Sequence, residues 1–161
     1  MRSWLPATQL AIEECSLHLT NTKSENTSID AYLTRAVLIS LCAEMETTIT
    51  QLLFERFSLN SDAEMREFAN SIGQGFVRNA KTGEIAKILG RFGQTCKSRY
   101  EAALKASLDD EALARIGNAI FNRGQFAHFM PATVTFAEVK VAYGDAVKLV
   151  EVVATALGLP T

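Results

Sequence analysis

The apolar residues of this chain recur mostly at steps of three and four positions, the spacing that gives an α-helix one apolar face. The longest such stripe runs from about Ile29 to Phe57 and predicts the central helix of the fold. A second stripe begins at Phe136 and ends near Leu157, and it predicts a terminal helix. Because β-branched residues are frequent where this second stripe begins, a strand is the alternative at that point.

Helix-start signals place the elements of the first half of the chain. Pro6 suits the first turn of a short helix, because amide groups there have no intrahelical partner in any case. The polar segment 21–28 predicts a loop. Ser61-x-x-Glu64 has the pattern of a capping box, in which a hydroxyl and a carboxylate accept hydrogen bonds from free amides. Gly73-Gln74-Gly75 predicts the end of the helix that follows.

The second half of the chain carries similar signals. Thr82 and Asp109 are each expected to cap a helix, with a break between them at Gly90–Gly93. Pro131 predicts the end of the helix that Asp109 begins, and Thr135-x-x-Glu138 is a second capping box. Nothing indicates a repeat or a second core. We therefore predict one domain over residues 1–161, an all-α antiparallel bundle of four to six helices.

Composition narrows the class of protein. The chain is 48% apolar and 21% charged, the balance of a globular protein rather than a disordered one. Its longest apolar stretch is interrupted by four charged residues, so we expect no membrane span. These residues are Arg35, Glu44, Glu46 and Glu55. The first residues lack the apolar core of a secretion signal, and we expect a cytoplasmic protein.

Several kinds of site lack their characteristic residues. Cys15, Cys42 and Cys96 show no paired spacing, and the chain has only two histidines, so we expect no metal and no cofactor. The glycines at 73 and 75 are not followed by the lysine of a phosphate-binding loop. Neither a nucleophile elbow nor an HExxH motif is present.

Positive charge is concentrated in one segment, from residue 78 to residue 105. It holds seven cations and two carboxylates, although the whole chain has a net charge of −2. A basic face of this kind could follow a nucleic-acid backbone, and a solvated helix surface explains it equally well. The residues that we single out for RNA binding are Arg78, Lys81, Lys87 and Arg91, with Phe129 as a candidate for base stacking. Tyr32, Tyr100 and Phe126 are expected in the core instead.

The stretch from Asn122 to His128 holds the groups best suited to catalysis. Arg123 and His128 lie five residues apart, which on an ideal helix turns them about 140° away from each other. They can converge if the helix ends or bends, as Gly124 would allow. The alternative is a helix-end histidine beside a surface arginine, with no catalytic role.

Arg-x4-6-His before a loop and a terminal amphipathic helix resembles the HEPN superfamily of four- to five-helix domains. The long helix is similar too, where Ala31-Tyr32-Leu33-Thr34-Arg35-Ala36 leads through Ala43-Glu44-Met45-Glu46 to Ile49. The combined pattern resembles most the RiboL-PSP-HEPN subgroup and covers Ser28 to Leu157. The order and separation of the motifs carry the resemblance.

The resemblance implies a metal-independent RNA endonuclease that acts as a homodimer. Members of the superfamily include toxins of toxin–antitoxin pairs, which bind an antitoxin protein, and effectors of phage defence. Arg123 and His128 match the catalytic residues of the family, and Glu46 matches an acidic position in its long helix.

Gly124 departs from the polar residue that usually follows the arginine, and Asn122 or Gln125 could supply that contact instead. This departure and the acidic net charge favour an alternative: an inactive domain that binds RNA or another protein. A third possibility is an unrelated helical regulator in which the motif is a coincidence.

The proposed residues also suit the chemistry of RNA cleavage. Cleavage through the 2′-hydroxyl needs a base for its proton, a cation for the charge that grows on the phosphate, and an acid for the leaving oxygen. Histidine and arginine can fill these roles without metal, and a two-fold axis would bring two of each into one cleft. Glu46 lies on an apolar stripe, where an unpaired carboxylate is costly. We expect it to pair with Arg123 or another buried cation, or to reach solvent at the edge of the stripe.

Overall fold

A computed structural model describes residues 3–72, 77, 80–127 and 134–161, with the backbone alone at 65, 68, 70–72 and 127. The described ranges contain seven helices and no strand. In chain order these are α1 (Pro6–Thr22), α2 (Ser28–Ser58), α3 (Ala63–Ile72), α4 (Thr82–Gly90), α5 (Gln94–Ser107), α6 (Asp110–Ala127) and α7 (Phe136–Leu157). The predicted all-α fold is confirmed, with one helix more in the described ranges than the four to six expected, and the expected break at Gly90–Gly93 divides one helical segment into α4 and α5.

Two helices, α2 and α7, organise the packing. α2 packs against α1, α3, α6 and α7, and α7 also packs against α5 and α6. The stripe predicted for α2 faces the core, where Val37, Leu41 and Met45 are each 1% exposed. α7 is buried along most of its length, as its small and β-branched side chains allow. α6 packs against both of these helices, so its orientation decides which of its side chains reach the core.

The start of α1 is tied to α2 by a carboxylate. Pro6 occupies the first turn as predicted, and Leu5 before it provides no side-chain cap. Instead Glu44 of α2 accepts hydrogen bonds from the backbone N–H groups of Ala7, at 2.9 Å, and Thr8, at 2.7 Å. A carboxylate is favourable here because it meets both the free amides and the positive end of the helix dipole.

Two predicted caps are wrong. α3 begins at Ala63, and its cap is Asp62 rather than Ser61, since the Asp62 carboxylate accepts the Glu64 N–H at 3.0 Å. Asn60 stabilises this start by accepting the Asp62 N–H at 3.0 Å, an Asx turn that moves the helix start one residue along. Thr82 lies inside the first turn of α4 and does not cap it. The predicted stops at 73–75 and at Pro131 lie outside the described residues.

The caps predicted at Asp109 and Thr135 are confirmed, whereas the loop predicted over 21–28 is shorter, since α1 extends to Thr22 and α2 begins at Ser28. Asp109 accepts the Ala112 N–H at 2.7 Å and caps α6. Thr135 and Glu138 form a reciprocal capping box, with Thr135 N to Glu138 Oε2 at 2.7 Å and Glu138 N to Thr135 Oγ1 at 3.3 Å. This box starts α7 as a helix, so the strand alternative is wrong. Gly93, with φ +108°, turns the chain between α4 and α5.

By length and composition, α2 is apolar enough to cross a membrane. Half of its qualifying stretch is buried inside the protein. The core helix of a soluble protein meets the same criterion, so this is weak evidence for a span.

Candidate functional site

Arg123 of α6 and Glu46 of α2 form an ion pair. Arg123 Nη1 lies 2.7 Å from Glu46 Oε2, and the two side chains are 28% and 17% exposed. Of the two possibilities left open for Glu46, the structure supports pairing with Arg123 rather than solvation alone. The pair joins residues 77 positions apart in sequence and holds the guanidinium against α2.

The surroundings of the pair explain why the carboxylate needs a cation. One turn before Glu46 on α2, Cys42 is 1% exposed. Burial raises the pKa of the Cys42 thiol to about 12, with Arg123 lowering it and Glu46 raising it by smaller amounts. Both charged groups therefore lie close to a poorly solvated part of the core. A carboxylate there is costly alone, and Arg123 supplies the compensating charge.

A cleft opens beside Glu46 on the outer side of α2. It has a volume of about 510 Å³ and is lined by Ala43, Glu46, Thr47, Thr50, Gln51, Phe54 and Val77. The size is in the range of small-molecule and nucleotide sites. Its lining combines one carboxylate, hydroxyl and amide groups and one aromatic ring. Because Glu46 forms part of its wall, a ligand in this cleft would contact the carboxylate of the ion pair, whereas Arg123 is not among the lining residues.

The residues on either side of Arg123 face different surroundings. Asn122 is 4% exposed, donates from Nδ2 to the Asn118 carbonyl at 2.9 Å, and lines a separate cavity of about 200 Å³. Gln125 is half-buried. Gly124 is exposed, and a Cβ added there would have no atom within 4 Å. Position 124 therefore has room for the polar side chain that the resemblance implies.

A second arginine, Arg35 of α2, lies close to α6 and was not among the predicted site residues. Its guanidinium carbon is 5.3 Å from the ring centre of Phe126 and 6.0 Å from that of Tyr32. Tyr32 is 68% exposed, so its expected place in the core is wrong, whereas Tyr100 is buried at 1% as expected. The sequence carried one signal for Arg35: no acidic residue lies three or four positions away on either side.

His128 and Phe129 lie outside the described residues. α6 is described up to Ala127, directly before the histidine. The convergence of Arg123 and His128 therefore stays a prediction. Among the described residues, no group of three His, Cys, Asp or Glu side chains is arranged to hold a metal ion.

α5, which carries the later part of the basic segment, lies away from Arg123. α5 packs against α4 and α7, and Arg99 of α5 lies beside Gly158, with its Nη1 4.0 Å from where a Cβ of that glycine would be. Gly158 follows the carboxyl end of α7, whereas Asn122, next to Arg123, lines a cavity with Glu138 near the amino end. α7 has 22 residues, so these ends are about 33 Å apart.

Arg91, which directly follows α4, also lies away from the pair. The ring of Phe92, next to Arg91, is 4.9 Å from the ring of Phe57, eleven residues beyond Glu46 on α2. That spacing is about 16 Å along the helix. Lys87 is paired with Glu84 at 2.7 Å. Lys81 is exposed before α4, and Arg78 lies outside the described residues.

A comparison with protein families tests the resemblance to the RiboL-PSP-HEPN subgroup. The sequence model of the RiboL-PSP-HEPN family matches residues 9–158. The chain belongs to the RiboL-PSP-HEPN family. The match confirms the resemblance and extends it to include most of α1. A search of curated proteins and a search of solved structures found no match.

Membership in the RiboL-PSP-HEPN family gives the ion pair a context. HEPN domains are all-α, often act as ribonucleases, and often dimerise and bind RNA. The third possibility, an unrelated helical regulator, is therefore wrong. In this HEPN domain, the motif arginine Arg123 is paired with Glu46, the acidic residue of the long helix.

Proposed function

We propose that this protein is a metal-independent RNA endonuclease, in which Arg123 stabilises the pentacoordinate phosphate and His128 acts as general acid or base. The observation that carries the proposal is the ion pair between Arg123 and Glu46 beside an open cleft, in a domain of the HEPN family. Cleavage uses the 2′-hydroxyl of RNA as nucleophile and leaves a cyclic phosphate.

Glu46 gives the arginine a fixed position before the substrate binds. A guanidinium has five N–H donors in a rigid plane, and Glu46 faces one of its terminal nitrogens, Nη1. With 28% of the Arg123 side chain exposed, the group remains accessible to a phosphate. A cation already oriented needs little reorganisation as charge grows on the phosphate oxygens, which is the source of most electrostatic catalysis.

A homodimer would supply a second histidine and a second arginine, so that the acid and the base come from different subunits. Support for this comes from an exposed apolar stripe on α2, formed by Tyr32, Ala36, Ile39 and Ala43. Tyr32 and Ile39 are 68% and 47% exposed. The stripe runs alongside the residues that contact α6, and a second copy covering it would lie close to Arg123. We further propose a cytoplasmic toxin or phage-defence effector, with an antitoxin as a possible partner.

A second candidate is an inactive HEPN domain that binds RNA or protein. Gly124 favours it, because the position after the motif arginine has space for a side chain and carries none. The distance of Arg91 and Arg99 from Arg123 also argues against a broad RNA path that leads into the site.

One experiment separates the two candidates. Wild type, Arg123→Ala and His128→Ala are incubated with single-stranded RNA and a chelator, after circular dichroism shows that all three are helical. The endonuclease predicts cleavage by wild type alone, with a loss of at least about a hundredfold in each variant. Binding without cleavage by all three supports the inactive domain. Equal cleavage by all three overturns the proposed roles.

A further inference from the structure

Arg35 is a half-buried cation without an anionic partner. Its Nε atom is buried and has no hydrogen-bond acceptor. The ion pairs among the described residues do not include it, and its guanidinium lies against the faces of Phe126 and Tyr32. Residues outside the described ranges contain no Asp or Glu. No side-chain carboxylate of the chain therefore compensates this charge.

Such an arrangement costs folding stability. A buried N–H without an acceptor loses its hydrogen bonds to water and gains none, and cation–π contacts replace only part of that loss. Proteins keep costly groups of this kind mostly where function needs them. An arginine held beside two aromatic rings, with its Nε–H group unused, is suited to receive an anion.

The position of Arg35 near Arg123 indicates which anion it would bind. Phe126 follows Arg123 by three residues on α6, and residues three apart are neighbours on a helix surface. Arg35 and Glu46 are eleven residues apart on α2, about 16 Å along its axis. The α2–α6 contact therefore carries two arginines and one carboxylate, the carboxylate being paired with Arg123.

We propose that Arg35 binds a backbone phosphate of the RNA strand, close to the scissile phosphate at Arg123, and that Phe126 and Tyr32 orient its guanidinium. This inference rests on the proposed function for the identity of the ligand. It adds a second phosphate site and a direction for the strand, along α2 from Glu46 toward the beginning of that helix.

The test measures binding without cleavage. Fluorescently labelled single-stranded RNA with 2′-O-methyl groups throughout cannot react, and its affinity is measured by anisotropy over a series of salt concentrations. Arg35→Met is expected to weaken binding roughly tenfold and to reduce the slope of log affinity against log salt by about 0.7, the value for one lost phosphate contact on a single strand. Arg35→Lys should keep the slope and lose part of the affinity, because it retains the charge without the planar fork.

Two controls separate a phosphate contact from a general loss of charge and from a structural role. Arg99→Met removes the same charge at the far end of α7 and should leave affinity and slope close to wild type. Thermal unfolding of Arg35→Met should occur at the wild-type temperature or higher, because the variant removes a half-buried charge that has no anionic partner and a buried Nε–H that has no acceptor. A purely structural arginine would show the reverse, with lower stability and an unchanged slope.

The outcomes distinguish this inference from the nuclease proposal. If wild type binds RNA with an Arg35-dependent slope and cleaves nothing, the nuclease proposal fails and the phosphate site stands. If wild type cleaves RNA and Arg35→Met keeps the wild-type slope, the phosphate site is wrong. An equal effect of Arg99→Met would also overturn it, and wild type that binds no RNA would overturn both proposals.

Discussion

The pairing of Arg123 with Glu46 can be tested by a double-mutant cycle of Glu46→Gln and Arg123→Met. The two side chains are 17% and 28% exposed and lie 2.7 Å apart, so the free energy that the pair contributes should fall between that of an exposed ion pair and that of a buried one. Exposed ion pairs contribute about 0–1 kcal/mol, whereas breaking a buried pair costs about 3–5 kcal/mol. We therefore expect each single variant to lose about 2 kcal/mol, because each leaves one charge poorly solvated and unpaired.

The double variant leaves neither charge behind and should lose about as much as one single variant, so the coupling energy is about 2 kcal/mol. For a domain of this size, 2 kcal/mol corresponds to a melting temperature about 4–8 °C lower. The free energies come from urea unfolding followed by circular dichroism. Glu46→Gln should also slow RNA cleavage under conditions where it is fully folded, because the guanidinium is then less firmly oriented.

Glu44→Gln is the matched control, a carboxylate on the same helix that caps α1 instead of pairing with Arg123. It should cost about 1 kcal/mol, show no coupling to Arg123→Met, and cleave RNA at the wild-type rate. A coupling energy below about 0.5 kcal/mol between Glu46 and Arg123 would show that the pair does not stabilise the fold. Equal loss of cleavage in Glu44→Gln and Glu46→Gln would show that activity follows stability alone.

Three further predictions concern single residues. Gly124→Asn should fit without a clash, raise stability by about 0.3 kcal/mol as a better helix former, and increase the cleavage rate; an unchanged rate would show that activity needs no polar group there. With its pKa raised to about 12, Cys42 should be thiolate in only about one molecule in ten thousand at pH 8, so mass spectrometry should find it unalkylated by iodoacetamide until the protein is unfolded. Hydrogen bonds from the backbone and side chain of Thr135 lower the pKa of Glu138 from 4.5, so its charge stabilises the fold at neutral pH and this contribution is lost as pH falls through the lowered value. The melting temperatures of wild type and Glu138→Gln should thus differ at pH 7 and converge as the pH falls through the lowered pKa of Glu138, and a constant difference would contradict the assignment.

Local signals predicted most of the fold. Apolar periodicity located α2 and α7, and the caps at Asp109 and Thr135 were correct because each depends on residues within one turn. The cap at Ser61 was wrong for a local reason as well, since Asp62 accepts the Glu64 N–H in its place and Asn60 stabilises this start by accepting the Asp62 N–H. Periodicity alone cannot rank neighbouring caps.

The candidate site was only partly predictable. Glu46 was singled out by its position on an apolar stripe and by the resemblance, and Arg123 was one of several partners left open for it. The exposure of Tyr32 and the unpaired charge of Arg35 depend on how α6 crosses α2, which periodicity does not define. The distance between Arg99 and Arg123 likewise arises from the packing of α5 against α7.

The nuclease proposal requires that Arg123 and His128 cleave RNA through its own 2′-hydroxyl. Its sharpest test is a DNA strand with a single ribonucleotide, incubated with wild type and His128→Ala in the presence of a chelator. We expect cleavage by wild type only after the ribose, with a cyclic phosphate on the upstream product that mass spectrometry identifies, and no product from the variant. Cleavage at deoxyribose positions, a product that never carries the cyclic phosphate, or full activity of His128→Ala would contradict the proposal.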